Sequence, residues 1–273
     1  MKGGTRPQGY TIIEVMIVLA ISGVMFLIAS SFISGKEASS AFTEGTNEFA
    51  SDLQSIITEV SDGQYSDVNL SCTVAQPSNQ LTFTTAASGS SLQGTNSECD
   101  FLGKFVHMSE SSNSTSYETF DLAGARTDDT LASATPVIGN GVDLTDQETT
   151  PQALKVLDVK VTNGSGVTSL SYGIGFVQSQ ANCNVDDSCV SSAQTVYMVY
   201  SPGLNGAGGA SMGETAAKNA ITGNLRTATA ADICLTDGTR YASIKLGDSS
   251  SVASQLNVTV NVYTMPYATN PPC

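Results

Sequence analysis

Apolar residues form one continuous block near the N-terminus of the 273-residue chain. From Tyr10 to Ile33 the one charged residue is Glu14, and the block contains no proline. An α-helix rises about 1.5 Å per residue, so these 24 positions reach about 36 Å, which is enough to cross a bilayer. The pattern therefore predicts a transmembrane helical segment over residues 10–34.

Residues 35–61 show a different pattern, in which apolar side chains recur at the spacing of an amphipathic helix. These apolar positions are Ala38, Ala41, Phe42, Phe49, Leu53, Ile56, Ile57 and Val60. We expect the helix to continue here, with one face packed on a globular head. Gly35 and Gly45 are weak points in it, and Gly63 is a plausible stop.

Beyond residue 62 the pattern becomes that of short strands between loops rich in Ser, Gly and Asn. Segments such as Lys155–Val161 and Leu256–Val262 alternate apolar and polar residues, as half-buried antiparallel strands do. Asp237-Gly238 predicts a hairpin turn, and residues 214–221 a short helix. The predicted strands are residues 68–75, 80–86, 101–108, 153–162, 167–177, 194–200, 239–246 and 256–264.

The charge of the chain narrows the range of partners. Charged residues make up 13% of the sequence and the formal net charge is −14. Such a chain repels phosphate backbones, so DNA binding is not indicated. The basic residues are scattered along the sequence, although a folded surface can still gather a few of them.

The six cysteines are even in number, which favours disulfide bonds in an exported chain. Sequence order favours the pairings Cys72–Cys99, Cys183–Cys189 and Cys234–Cys273. Zinc binding is the weaker alternative, because there is no C-x-x-C pair and the single histidine, His107, is near no cysteine. Asp186-Asp187, between Cys183 and Cys189, reads as a solvated acidic loop rather than a calcium site.

Three interpretations compete for the N-terminal block. A secretory signal peptide has a shorter apolar region, although Ala29-Ser30-Ser31 supplies small residues for a cut. A plain single-pass anchor explains the length but leaves Glu14 as an unexplained, costly acid at the start of the span. If the block stays in the membrane as an anchor, Lys2 and Arg6 favour a cytoplasmic N-terminus and an outward-facing head. The third interpretation rests on a sequence motif.

The stretch Gly9-Tyr10-Thr11-Ile12-Ile13-Glu14, continued by Val15 to Gly23, resembles the N-terminal signature of type IV prepilins and type II secretion pseudopilins. The resemblance implies that a prepilin peptidase removes residues 1–9 by cutting after Gly9, and that Tyr10 becomes N-methylated. It also implies that Glu14 guides filament assembly by pairing with the N-terminal amine of a neighbouring subunit. Many major pilins have a proline where this chain has Ser31, so the resemblance gives no basis for a helix kink or melted segment there; several pseudopilins and minor pilins also lack this proline.

The sequence does not indicate an enzyme. A catalytic triad would have to use His107, whose context, FLGKFVHMS, reads as a strand with a structural or surface histidine. The chain has no G-x-S-x-G, H-E-x-x-H or P-loop motif, and its glycine-rich segment 203–213 does not match a dinucleotide fingerprint. We therefore expect no cofactor and no catalytic or metal site.

Together these patterns predict an α+β, pilin-like fold with a long N-terminal helix on an antiparallel β-sheet head. The expected divisions are a leader peptide (1–9), a transmembrane half of the helix (10–34), an amphipathic half (35–61) and an extracellular head (62–273). The expected function is a structural subunit of a type IV pilus-like filament. Its mature length of 264 residues favours a minor or tip subunit over a small major pilin.

The resemblance also implies the partners and the location. These are the prepilin peptidase, other pilin subunits, the assembly platform with its motor, and the cytoplasmic membrane before extraction to the bacterial surface. The alternatives are a type II secretion pseudopilin and a membrane-anchored binding protein or hydrolase that never polymerises. Motility, adhesion, DNA uptake and secretion remain open as tasks of the filament.

Overall fold

The computed structural model describes residues 10–62, 70–75, 80–85, 99–108, 116–125, 137–138, 140–141, 145–178, 196–205, 214–221, 225–247, 256 and 258–263. The contacts within the chain divide it into two units, Met1–Thr43 and Glu44–Cys273.

The long N-terminal helix, α1, is present and spans Ile12–Ser61. Neither Gly35 nor Gly45 ends it. A side chain at Gly45 would have its Cβ 2.9 Å from the Cβ of Gln152, so glycine is what permits the close approach of the neighbouring turn. The helix closes with a hydrogen bond from the N–H of Asp62 to the carbonyl of Thr58 (2.9 Å). The predicted stop at Gly63 lies outside the described residues.

The rest of the described chain is mainly strand. The strands are β1 (Leu70–Ala75), β2 (Gln80–Thr85), β3 (Cys99–Met108), β4 (Ser116–Ala125), β5 (Val137–Ile138), β6 (Asn140–Gly141), β7 (Thr145–Thr149), β8 (Lys155–Asn163), β9 (Thr168–Leu170), β10 (Gly173–Gln178), β11 (Val196–Tyr200), β12 (Arg226–Thr236), β13 (Tyr241–Gly247) and β14 (Val258–Tyr263). A second helix, α2, spans Glu214–Ile221, and two 3-10 turns span Pro151–Ala153 and Pro202–Leu204.

Among the described residues, eleven strands form one antiparallel sheet and three form a small second one. In the small sheet β1 and β2 are antiparallel, and β6 adds to β2 in parallel. In the large sheet the order is β14-β13-β12-β11-β10-β3-β4-β5, with β7 also on β4 and the pair β8–β9 on β12. The expectation of an α+β fold with an antiparallel sheet is confirmed.

Strand β12 joins two parts of the large sheet. Its first residues pair with β11, and from Ala230 onward it pairs with β13 on one edge and β8 on the other. The pairing with β8 shifts between Ala228 and Ala230, which marks a β-bulge at Thr229. The Thr229 hydroxyl donates to the carbonyls of Thr162 (3.1 Å) and Asn163 (3.3 Å), so the bulge is held by side-chain hydrogen bonds.

The last part of α1, from Glu44 to Ser61, packs on one face of the sheet. Phe49 is fully buried and meets the ring of Tyr117 edge-on at 5.3 Å between centroids. Lys104 on β3 forms an ion pair with Glu59 (2.6 Å), and Gln178 on β10 donates to the carbonyl of Ser61 (3.2 Å). The predicted amphipathic pattern therefore describes this helix face correctly.

The opposite face of the same strands carries a second apolar core, under α2 and the Pro202–Leu204 turn. Its buried members are Leu102, Phe105, Phe120, Leu122, Val177, Val199, Leu204, Ala217 and Ile221. Ser201 anchors the two covering elements to each other, because its hydroxyl donates to the carbonyl of Ala220 (2.6 Å). The short helix predicted at residues 214–221 is thus present and closes this core.

The strand predictions need correction, because one predicted strand is divided and several strands were missed. The run 167–177 is not one strand, because Ser171 still donates its N–H to Val159 on β8, whereas the N–H of Tyr172 donates to Leu204. The chain therefore crosses from one part of the sheet to the other between β9 and β10. Strands β5 to β7 and most of β12 were not predicted, and neither was β4. Glu118 and Asp121 make it look polar, yet Asp121 is only 6% exposed.

The Asp237-Gly238 turn between β12 and β13 is confirmed. The Asp237 carboxylate accepts hydrogen bonds from the N–H groups of Thr239 (2.8 Å) and Arg240 (2.7 Å) and lies 3.0 Å from the Arg240 guanidinium. Burial alone raises the pKa of this carboxyl, but these hydrogen bonds and the charge of Arg240 together hold it below its usual value.

Because the pKa of Asp237 is lower in the folded chain than in the unfolded one, the unfolded chain binds more protons as the pH falls below about 4. The stabilisation is therefore present above that pH and is lost as the pH drops further. We expect Asp237→Asn, which keeps the turn acceptor, to lower the free energy of unfolding at pH 7 and to match the wild type near pH 2. Denaturant titrations at a series of pH values measure this difference, and a pH-independent difference contradicts the assignment.

Gly247 occupies a backbone conformation with φ of +70°, and a Cβ there would lie 2.5 Å from the carbonyl oxygen of Thr229. We expect Gly247→Ala to lower the free energy of unfolding by about 1–3 kcal/mol, because it adds both backbone strain and this clash. Gly164→Ala is the matched control, since a Cβ at Gly164 meets no atom within 4 Å. Equal effects of the two substitutions in thermal or denaturant unfolding would contradict this account.

Candidate functional site

The start of α1 is built as a capped helix terminus. The hydroxyl oxygen of Thr11 accepts the backbone N–H of Glu14 (3.3 Å), and the Thr11 carbonyl accepts the N–H of Val15 (3.2 Å). Thr11 and Glu14 have the spacing of a capping box, and an acid in the first turn interacts favourably with the helix dipole. Glu14 therefore lies in a position that also suits helix initiation, a local role that the sequence interpretation did not consider.

The segment that follows exposes an apolar surface. The window Ile12–Ala29 has a mean hydropathy of 2.7, and none of it is buried within the chain. Phe26 and Leu27, for example, are 73% and 69% exposed. Length and composition suit a membrane span, a test that a signal sequence also passes. The hydroxyl of Ser22 donates to the carbonyl of Val18 (2.7 Å), so this polar group is satisfied inside the helix.

The residues at the expected cleavage point lie at the edge of the described chain. Tyr10 is 83% exposed and precedes the first helical residue by two positions, whereas Gly9 lies outside the described residues. Glu14 is exposed one helical turn further on. The structure thus places Tyr10 and Glu14 at the same end of α1.

His107, the one candidate for nucleophilic catalysis, is a core residue. It is fully buried on β3, its Nδ1 lies 3.3 Å from a carboxylate oxygen of Glu118 on β4, and its ring stacks near Phe120 at 6.4 Å. A side chain enclosed in this way supports packing between two strands rather than contact with a substrate. Among the described residues, no group of three His, Cys, Asp or Glu side chains is arranged to hold a metal.

Three of the six cysteines lie among the described residues. Cys72 lies on β1 and Cys99 is the first residue of β3, while Cys234 is buried on β12 and is disulfide-bonded. Which cysteine pairs with which stays a prediction. The positions outside the described residues are Cys183, Cys189, Cys273, Asp186 and Asp187.

The structure also gathers basic residues that are far apart in the sequence. Lys160 on β8 and Lys245 on β13 lie on either side of Asp232 on β12, because each faces Asp232 in the strand register. The sequence pattern places each lysine on a strand, but the pairing of β8 with β12 joins segments about 70 residues apart and leaves no local signal. This cluster borders a surface cavity of about 390 Å³.

Residues 5–30 match the family model of the prokaryotic N-terminal methylation motif. Neither the curated proteins nor the solved structures gave a significant match to the chain. The matched segment includes the expected cleavage point and the apolar window of α1. Proteins with this motif are in general processed by a prepilin peptidase and assembled with other pilins. The N-terminus of this chain therefore carries the signature of type IV pilins and type II secretion pseudopilins, which are structural proteins rather than enzymes.

Proposed function

We propose that this chain is a structural subunit, of the minor or tip class, of a type IV pilus-like extracellular filament. The observation that carries the proposal is the methylation motif at residues 5–30, which coincides with the exposed apolar window Ile12–Ala29 of α1, and Glu14 is the one acid in that window. In this account a prepilin peptidase cuts after Gly9 and methylates the new terminus at Tyr10. The remaining 264 residues are then extracted from the membrane into a fibre.

The apolar surface of α1 supports this role on physical grounds. Fully burying a side chain such as Leu, Ile or Phe is worth about 1.5–3 kcal/mol, so a helix exposing many of them is unstable in water. A lipid bilayer covers that surface before assembly, and the helices of neighbouring subunits cover it afterwards. Residues 10–34 supply this segment in the proposal, residues 35–61 continue the helix, and residues 62–273 form the head outside the cell.

Glu14 fixes the axial position of each helix relative to the helices of neighbouring subunits. An ionised carboxylate in an apolar environment is costly unless a positive group pairs with it. The free amine at Tyr10 of a neighbouring subunit supplies such a group after cleavage, and it does not exist in the uncleaved chain. Pairing of these two groups therefore links leader removal to the axial position of each new subunit.

The nearest alternative is a type II secretion pseudopilin, which uses the same processing and packing in a different machine. A chain that stays in the membrane as an anchored binding protein is the second alternative. In that case Glu14 would act through the capping of α1 alone, because a monomer has no neighbouring amine.

The mature N-terminus tests the processing step. We expect mass spectrometry of the chain from its native membrane to show a peptide that begins at Tyr10 and carries the mass of one methyl group. Gly9 directly precedes the cut, so a bulky substitution such as Gly9→Val should leave residues 1–9 attached. A wild-type chain that begins at Met1, or near residue 30 after signal-peptidase cleavage, would contradict the proposal.

Glu14→Gln tests the assembly step without disturbing the helix start, because Gln also serves in a capping box. We expect this variant to be cleaved and inserted normally but to fall at least tenfold in sheared filament fractions, since the pairing charge is gone. Glu37→Gln is the matched control, because Glu37 is an exposed acid on the same helix outside the apolar window. Normal incorporation of Glu14→Gln into filaments would contradict the assembly role of Glu14, whereas absence of the wild-type chain from the filament fraction would favour the anchored monomer.

A further inference from the structure

A depression lies on the polar face of the strands β9, β8, β12 and β13. Its lining residues are Lys160, Thr162, Thr168, Ala230, Ala231, Asp232, Lys245 and Gly247, and its volume is about 390 Å³. This volume lies near the lower end of the range of small-molecule sites. The sequence assigns it no role, and it is independent of the N-terminal motif.

The strand register explains the depression. One cross-strand row is formed by Leu170, Lys160, Asp232 and Lys245. The next row on the same face is formed by Thr168, Thr162, Ala230 and Gly247, two residues along each strand. The two smallest side chains, Ala230 and Gly247, therefore form a floor beside two long lysines.

The backbone under this floor is fixed. Gly247 has a positive φ that other residues adopt only with strain, and the carbonyl of Thr229 approaches it closely. The hydroxyl of Thr229 in turn holds the carbonyl of Thr162 at the rim (3.1 Å). The β-bulge at Thr229 therefore helps to shape the depression, because it contacts both Gly247 in the floor and Thr162 at the rim.

The charged side chains around the depression already have partners within the chain. Lys160 lies 3.8 Å from Asp158, and Lys245 lies 3.9 Å from Asp232, which are ion pairs longer than a hydrogen bond. Their side chains are 39% and 53% exposed, so both ammonium groups have access to solvent. One oxygen of Asp232 already accepts the hydroxyl of Ser243, which orients this carboxylate. An anionic oxygen at about 2.8 Å would bind Lys245 more strongly than the carboxylate oxygen of Asp232 at 3.9 Å does.

We propose that this depression binds a carboxylate-bearing saccharide such as a uronic acid. The two lysines bind the sugar carboxylate, and Asp232 accepts hydrogen bonds from ring hydroxyls. Thr162 and Thr168, whose hydroxyl oxygens lie 3.1 Å apart, add donors and acceptors at the other side. A simple anion uses only the lysines and a neutral sugar only the aspartate and threonines, so the combination selects a molecule with both kinds of group.

The test is calorimetric titration of the purified full-length chain in detergent micelles with sodium glucuronate at constant ionic strength. Glucose and acetate are titrated in parallel as the neutral sugar and the simple anion. We expect glucuronate to bind with a dissociation constant on the order of millimolar, at least tenfold more tightly than either. Absence of glucuronate binding, or equal binding of acetate or glucose, overturns the proposal.

Substitutions then locate the binding site. We expect Lys160→Gln and Lys245→Gln each to weaken glucuronate binding at least fivefold, and Ala230→Leu to abolish it by filling the floor. Arg226→Gln removes the same charge from an exposed position on β12 outside the depression, so it should bind as the wild type does. Equal weakening by Arg226→Gln would mean a diffuse charge effect and would contradict this site. Thermal unfolding of each variant establishes that it is folded.

Discussion

Water and an apolar helix surface are incompatible, and this constraint governs the organisation of the chain. From Ile12 to Ala29, α1 exposes apolar side chains on every side, so this segment requires a bilayer or other helices around it. A helix is suited to such an environment because its backbone hydrogen bonds are made within the segment. Thr11 starts it with a side-chain cap, and the hydroxyl of Ser22 is satisfied internally. Glu14 is the exception in this segment, and its cost is what suggests a role in assembly.

The unit from Glu44 onward is stabilised in the ordinary way of a soluble domain. The helix from Glu44 to Ser61 covers one face of the strands around β3 and β4, and α2 covers the other. Strand β12 extends this sheet by pairing with β11 near its start and with β8 and β13 further on. The same bulge that lets β12 change partners at Thr229 also shapes the depression beside Gly247. The β-bulge that organises the sheet therefore also helps to form the proposed saccharide site.

The features that could be predicted from the sequence are those with a local signal. The apolar run from Tyr10 and the spacing of Phe49, Leu53 and Val60 predict α1, and Asp237-Gly238 predicts the β12–β13 hairpin. Strand β4 was missed because Glu118 and Asp121 lower its apparent β-propensity, although Glu118 meets His107 across the strand pair. The pairing of Lys160 with Asp232 depends on strand register between distant segments, which no local pattern encodes. Gly9, Tyr10 and Glu14 were found because the motif is continuous in sequence, and their roles remain proposals.

The central claim is that Glu14 of one subunit meets the N-terminal amine of another inside a filament. Cryo-electron microscopy of filaments that contain this subunit tests it most directly. The account predicts a packed core of apolar helices in which a Glu14 carboxylate oxygen lies within about 4 Å of the amine of a neighbouring Tyr10. A chain that is absent from filaments, or a Glu14 that faces solvent with no neighbouring amine near it, would contradict the account.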